Sequence, residues 1–145
     1  MFGTKEELDK KVNDGRKTDN IPPAYQAVSD VLDKLGKKRG VQITSMALAY
    51  VMHKAPYVFP IVGGRKIEHL KSNIEGLGVE LTDEEIDEIE NATPFAVGFP
   101  LSMIFEYGGS KYNSRKSNIN DIVFMKPAGH FDVVEKAQAP RPHKE

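Results

Sequence analysis

The sequence predicts an α/β chain, mostly helical with one or two short strands, and three observations predict it. Apolar residues recur at helical spacing in several stretches. One run, Tyr57-Val58-Phe59-Pro60-Ile61-Val62, is rich in β-formers and bounded by turn residues. The 145 residues are 39% hydrophobic and 28% charged, an ordinary folded-chain balance with enough length for one core.

In chain order, residues 1–21 are polar, carry Gly3, Gly15 and a Thr18-Asp19-Asn20 cluster, and read as a loop segment with a short helix at 4–12. Pro22-Pro23 opens a helix over 24–39, because proline suits a first helical turn. Its Ala24, Val28, Val31, Leu32 and Leu35 fall on one face, Lys37-Lys38-Arg39 complements the dipole in the last turn, and Gly40 ends it. A second helix spans 45–54 with Thr44 as N-cap; 46–52 is apolar all round, which predicts a buried helix, and Pro56 stops it. The run at 57–62 reads as a strand buried on both faces, as in a parallel sheet, although Pro60 cannot donate to a ladder.

A third helix starts near Arg65 and Lys66 and runs to about Gly76, with Ile67, Leu70, Ile74 and Leu77 as its inner face. The fourth begins at a capping box, Thr82-Asp83-Glu84-Glu85, buries Ile86 and Ile89, and ends before Pro94. Residues 94–145 are an irregular tail punctuated by Pro and Gly, with a second short strand at 121–125 and a mobile last six residues. One central-type strand among four helices does not make a sheet. Either it pairs with another chain or the sequence is part of a larger fold.

Composition narrows the function. With 20 Lys+Arg against 21 Asp+Glu the net charge is -1, which argues against bulk affinity for nucleic acid or an anionic membrane. The absence of cysteine excludes disulfides, thiolate zinc, iron–sulfur clusters and a Cys nucleophile, and no metal-ligand set is assigned. No apolar run reaches the ~18 residues of a membrane span, and the first residues resemble neither a secretory signal nor a transit peptide. A soluble, cytoplasmic domain is the expectation.

Charge is unevenly spread. Lys34, Lys37, Lys38, Arg39, Lys54, Arg65, Lys66 and Lys71 face a single acid, Glu68, between 34 and 71; seven acids and no base follow between 80 and 90. These are either solvated faces of neighbouring helices or, for the basic middle, an anion-binding surface. The sharper reading centres on Gly63-Gly64 followed by Arg65-Lys66 at a helix start. Glycines let a backbone approach an anion, free N–H groups point outward from the helix end, and arginine can grip phosphate with two donors. Lys66, His69 and Asn73, at i, i+3 and i+7, share a face opposite the Ile67–Leu70–Ile74 stripe. The alternative is a plain tight turn, for neither GxxxxGK[ST] nor GxGxxG is present. A helix-turn-helix DNA-binding domain at 25–54 is a competing class, but residues 46–52 offer few polar side chains for base edges.

Three stretches carry a resemblance: Ala47-Leu48-Ala49-Tyr50-Val51; the run from Val58 through Phe59-Pro60-Ile61-Val62-Gly63-Gly64-Arg65-Lys66-Ile67-Glu68-His69-Leu70 to Asn73-Ile74; and Leu81-Thr82-Asp83-Glu84-Glu85-Ile86. Together they resemble the C-terminal end of the aldo-keto reductases. Pro94-Phe95, Phe99-Pro100 and the tail Gly129-His130-Phe131-Asp132 are similar to the fungal aryl-alcohol dehydrogenase branch, which includes norsolorinic acid reductase-like proteins. The resemblance covers roughly 22–135 and is strongest at 44–92.

What it implies is a C-terminal fragment of a (β/α)8 TIM barrel, with 57–62 as the eighth strand, 66–76 as the eighth helix, and 94–145 as a tail. It implies NADP(H) as cofactor, held by Gly63, Gly64, Arg65, Lys66, His69 and Asn73. Arg65 and Lys66 match 2′-phosphate contacts, His69 a side chain along the adenosine, and Asn73 the adenine contact; Ser72 stands where many members carry an acid. The reaction implied interconverts a small aldehyde or ketone and its alcohol. The family's Tyr, Lys, Asp and His lie in the first half of the barrel, so no catalytic residue is assigned: Tyr25, Tyr50, Tyr57, Tyr107 and Tyr112 match no catalytic motif, and His53 reads as a surface residue at a helix end. The chain would begin just after the seventh strand, be inactive alone, and collapse into a marginal, helix-only or aggregation-prone state. A non-catalytic module that associates with a full-length homologue is the other reading.

Overall fold

The computed structural model describes residues 22–106 and 112–142, apart from the Glu106 side chain; the helix expected at 4–12 lies outside them. The chain divides into two compact units, one at 22–93 with 139–142, the other Pro94–Gln138. The first holds α1 (Pro23–Arg39), α2 (Ile43–Lys54), α3 (Ile67–Leu77) and α4 (Asp83–Asn91). No strand forms among the described residues.

α1 follows its apolar spacing. Leu32 and Leu35 are buried, and Val28 and Val31 pack against the core. Gly40 takes φ 70°, a left-handed turn that lets the Val41 N–H return to the Gly36 carbonyl at 3.0 Å and close the helix end. α2 lies against α1 on one side and α3 on the other, and α1 also meets α4. Ile43, Met46 and Ala49 from α2, Val79 and Leu81 from the α3–α4 connection, and Ile86 and Ile89 from α4 complete the core. The helix expected from Ser45 begins two residues earlier. Its N-cap is Gln42, with no side-chain cap bond, and Thr44 lies near Ser72 instead (Oγ1 to Oγ, 3.5 Å). α2 is not buried all round either. Val51 is exposed, because α1 and α3 cover only part of its circumference.

α4 starts as its sequence dictates. The Thr82 hydroxyl accepts from the Glu85 N–H and the Glu85 carboxylate accepts from the Thr82 N–H. Glu85 also takes Arg39 of α1 at 2.6 Å, Glu88 takes Lys34 at 2.7 Å, and Glu90 takes Lys54 of α2. Acidic α4 is thus zipped to the basic ends of α1 and α2.

The expected strand at 57–62 has no partner. Tyr57 sits in a turn at φ 60°, residues 58–62 adopt no regular structure, and exposure alternates, with Phe59 and Ile61 outward and Val58 and Pro60 half-buried. β-formers favour extended backbone, but a strand exists only when a second segment completes the ladder, and Pro60 lacks a donor besides. α3 reverses its expected face. Ser72 and Gly76 are buried against α2, while Ile67, Leu70, Ile74 and Leu77 are all more than half exposed. In the second unit 121–125 is not a strand. The Asn118 side chain caps a 3-10 turn at Ile119–Asp121, another turn runs Lys126–Ala128, and Val123 gives one backbone bond to Ile104 at 3.1 Å. The Asn120 amide pairs with both backbone groups of Phe131, which fixes that part of the tail.

Candidate functional site

The corner between residues 57–62 and α3 collects most of the residues singled out by sequence. Lys66 is the N-cap of α3, in extended conformation (φ -132°, ψ 153°), and no side chain caps the helix start. The first-turn N–H groups of α3 therefore face outward without a side-chain acceptor, and the helix dipole adds positive potential there. Residues 61–71 are exposed throughout. Among the described residues, the ion pairs join Lys34, Lys37, Arg39, Lys54 and Arg141 to acids, and none takes Arg65 or Lys66. The basic middle of the sequence is thus split. In its first half Lys34, Arg39 and Lys54 neutralise α4 and Lys37 pairs within α1, whereas its second half leaves two cations beside an open helix end.

Gly64 is required by His69. A Cβ at position 64 would sit 2.5 Å from the His69 Cβ and 3.0 Å from its Nδ1. The imidazole folds back over Gly64, and its Nδ1 accepts from the Arg65 N–H at 3.3 Å. His69 thereby occupies a backbone donor that an incoming anion would otherwise take. Gly63 has open space around it.

Asn73 lies one turn further on, half-buried, and the row Lys66–His69–Asn73 is not opposite the apolar stripe. Asn73 lines a shallow groove with Leu48, Pro60, Val62, Leu70 and Ile74, and it is the polar group among these apolar walls. The buried face of α3 is set by Ser72 and Gly76, half a turn away from the stripe, so the row flanks the stripe instead. Ser72 points away from the groove altogether. Its hydroxyl meets Ser45 Oγ at 2.9 Å and donates to Gln42 Oε1 at 3.2 Å, and Ser45 Oγ donates to the Ser72 carbonyl at 2.8 Å. This buried polar link between α2 and α3 escaped the sequence reading. The available signal was two small hydroxyl residues on the faces opposite the bulkier apolar ones.

His53 is also placed differently from its expectation. It is 5% exposed, at the end of α2, with no hydrogen-bond partner for Nδ1. Burial lowers its pKa from the ordinary 6.5, the Arg141 charge lowers it further, and Glu80 pulls the other way. The surface assignment fails because tertiary packing, which the local sequence does not specify, buries this helix end.

The comparisons with known proteins follow this geometry. The Aldo/keto reductase family model matches residues 1–93. The chain is 41% identical over 142 residues to norsolorinic acid reductase A of Aspergillus parasiticus, an alignment that covers 98% of this chain and 36% of that protein. It is 43% identical over 129 residues to norsolorinic acid reductase of Aspergillus flavus, covering 89% and 33%. It is 43% identical over 118 residues to aryl-alcohol dehydrogenase [NADP(+)] of Phanerodontia chrysosporium, covering 81% and 28%. The chain spans about a third of the length of these relatives. No solved structure matches it. Among the described residues, no helix is long and apolar enough to cross a membrane.

Proposed function

The chain belongs to the aldo/keto reductase family, and from that premise we propose that it is the cofactor-gripping C-terminal part of an NADP(H)-linked oxidoreductase of the aryl-alcohol dehydrogenase type. The observation that carries this is the exposed start of α3, uncapped by any side chain, with Gly63 and Gly64 before it and, beside it, two cations that no ion pair among the described residues takes. That donor set suits a 2′-phosphorylated dinucleotide. Arg65 and Lys66 hold the phosphate, and α3 presents backbone N–H groups to it. His69 swings off the Arg65 N–H to lie along the nucleoside, and Asn73 meets the base in its groove. A relative whose name carries NADP(+) supports the choice of cofactor. When bound, the cofactor supplies the hydride for interconverting a carbonyl and an alcohol. This chain contributes grip and orientation. The general acid belongs to the part of the relatives that the chain does not span, so the chain is inactive alone.

The test joins this chain behind the N-terminal two thirds of an aryl-alcohol dehydrogenase relative. Arg65→Ala and Lys66→Ala should each raise KM for NADPH about tenfold or more, the scale of one charge-assisted hydrogen bond, and leave KM for NADH nearly unchanged. Equal effects on both cofactors, or none, would reject the assignment. The exposed stripe Ile67, Leu70, Ile74 and Leu77 favours a second reading, a non-catalytic module that pairs through this face with a full-length reductase. Co-purification of this chain with such a reductase, in the absence of cofactor effects, would select it.

A further inference from the structure

We infer that Ser45 is a positioning residue for the base-binding side of the cofactor corner: its hydroxyl, bonded to Ser72, sets the rotation of α3 and so aims Asn73 into its groove. The inference rests on the proposed cofactor reading and adds to it a residue that touches no ligand. Among the described residues, α3 supplies none of the buried apolar core side chains, which come from α1, α2, α4 and the α3–α4 connection. The residues that α3 buries are small, Ser72 and Gly76. Apolar contact has no direction, and a face of small residues offers no ridge to stop a helix from turning about its axis. Directional bonds are needed for that.

Those bonds meet at Ser45. Fully buried on α2, it donates to the Ser72 carbonyl at 2.8 Å and its hydroxyl meets that of Ser72 at 2.9 Å. The Ser72 hydroxyl donates in turn to Gln42 Oε1 at 3.2 Å. Gly76, one turn on, lets the helices approach at the same point, since a Cβ there would stand 3.2 Å from the Ser45 carbonyl oxygen. Asn73 follows Ser72, about 100° further round the helix. A fixed Ser72 therefore fixes Asn73 on the groove that Leu48, Pro60 and Val62 also line. Binding groups work when supporting hydrogen bonds hold them within about 0.5 Å of the productive geometry. Arg65 and Lys66 precede α3 proper and do not turn with it. The base is common to NADPH and NADH, so the influence of Ser45 falls on both cofactors, unlike that of the 2′-phosphate contacts.

The test has two readouts. In the full chain, Ser45→Ala should shift or broaden the NMR signals of the Asn73 side-chain amide while circular dichroism shows the helices kept. In the chain joined behind the N-terminal two thirds of an aryl-alcohol dehydrogenase relative, it should raise the Kd of NADPH and of NADH alike, about three- to tenfold, the scale of one neutral hydrogen bond. KM for the aldehyde should stay nearly unchanged. In an Asn73→Ala background the same substitution should raise neither Kd further. Ser72→Ala keeps the bond that Ser45 gives to the backbone, so its effect should be smaller; it carries the same comparison should Ser45→Ala not fold. An unmoved Asn73 amide, losses that add in the Asn73→Ala background, or an aldehyde KM raised as much as the cofactor Kd would overturn the inference. If Asn73→Ala weakens both cofactors and Ser45→Ala neither, the inference falls and the cofactor reading stands. If Asn73→Ala itself changes neither Kd, the base contact fails and takes the inference with it.

Discussion

Glu85 does three jobs with one carboxylate: it closes the capping box of α4, pairs with Arg39 of α1 and contributes to the buried face. Burial pushes its pKa up. The Thr82 N–H, the Arg39 guanidinium and the Lys38 charge push it down and win, so the folded value lies below the ordinary 4.5. A carboxyl lowered on folding stabilises fully above its unfolded pKa and loses that stabilisation as pH falls through the folded one. Glu85→Gln should therefore cost about 1–3 kcal/mol at pH 7, the worth of a charged hydrogen bond. The difference from the parent should shrink below about pH 4, as measured by urea melts at each pH. A deficit independent of pH would show that the charge is idle. Thr82, Glu85 and the two isoleucines were legible in the sequence because every partner in a capping box lies within one helical turn. The Arg39 contact, 46 residues away, was not.

At the scale of elements, α1, α2, α3 and α4 were all legible as helices, since helical spacing and caps are local signals. Which way α3 faces was not. Its amphipathic pattern predicts that the Ile67–Leu70–Ile74–Leu77 stripe turns inward, yet the described chain packs the other side. Small residues allow this. A side chain at Gly76 would meet Leu48 and the Ser45 carbonyl at 3.2 Å, and the Ser45–Ser72 bonds satisfy the polar groups that close contact buries. The prediction is an inverted substitution pattern. Gly76→Leu should overpack the α2–α3 contact and destabilise by about 1–3 kcal/mol, whereas Leu70→Gln on the apolar stripe should change stability by less than about 0.5 kcal/mol. Thermal melts of the two variants decide it. A larger loss at Leu70 would mean that the stripe is covered in solution.

For the whole molecule, Phe59, Ile61, Ile67, Leu70, Ile74 and Leu77 are all more than half exposed on one stretch of chain, from Phe59 to the end of α3. A folded domain ordinarily covers such a concentration of apolar surface. If the remaining length of a reductase covers it, the chain alone should bind a hydrophobic dye such as ANS and unfold in urea with a broad, shallow transition. Joined behind the N-terminal part of a relative, it should lose the dye signal and unfold more sharply. Undiminished dye binding in the joined protein would mean that the rest of a reductase does not cover the stripe.

Unaided, the sequence determined the four helices, the turn at Gly40, the cap at Thr82, the glycine–cation corner and the family, because each rests on residues near one another along the chain. The tertiary structure alone decided that Arg39 and Lys54 spend their charge on α4 while Arg65 and Lys66 do not, that Ser72 faces Ser45, and that His53 is buried. It also left 57–62 without a strand partner among the described residues. The physical reason is common to all of these: pairing, burial and strand formation each require a second surface, and local sequence does not specify which surface arrives.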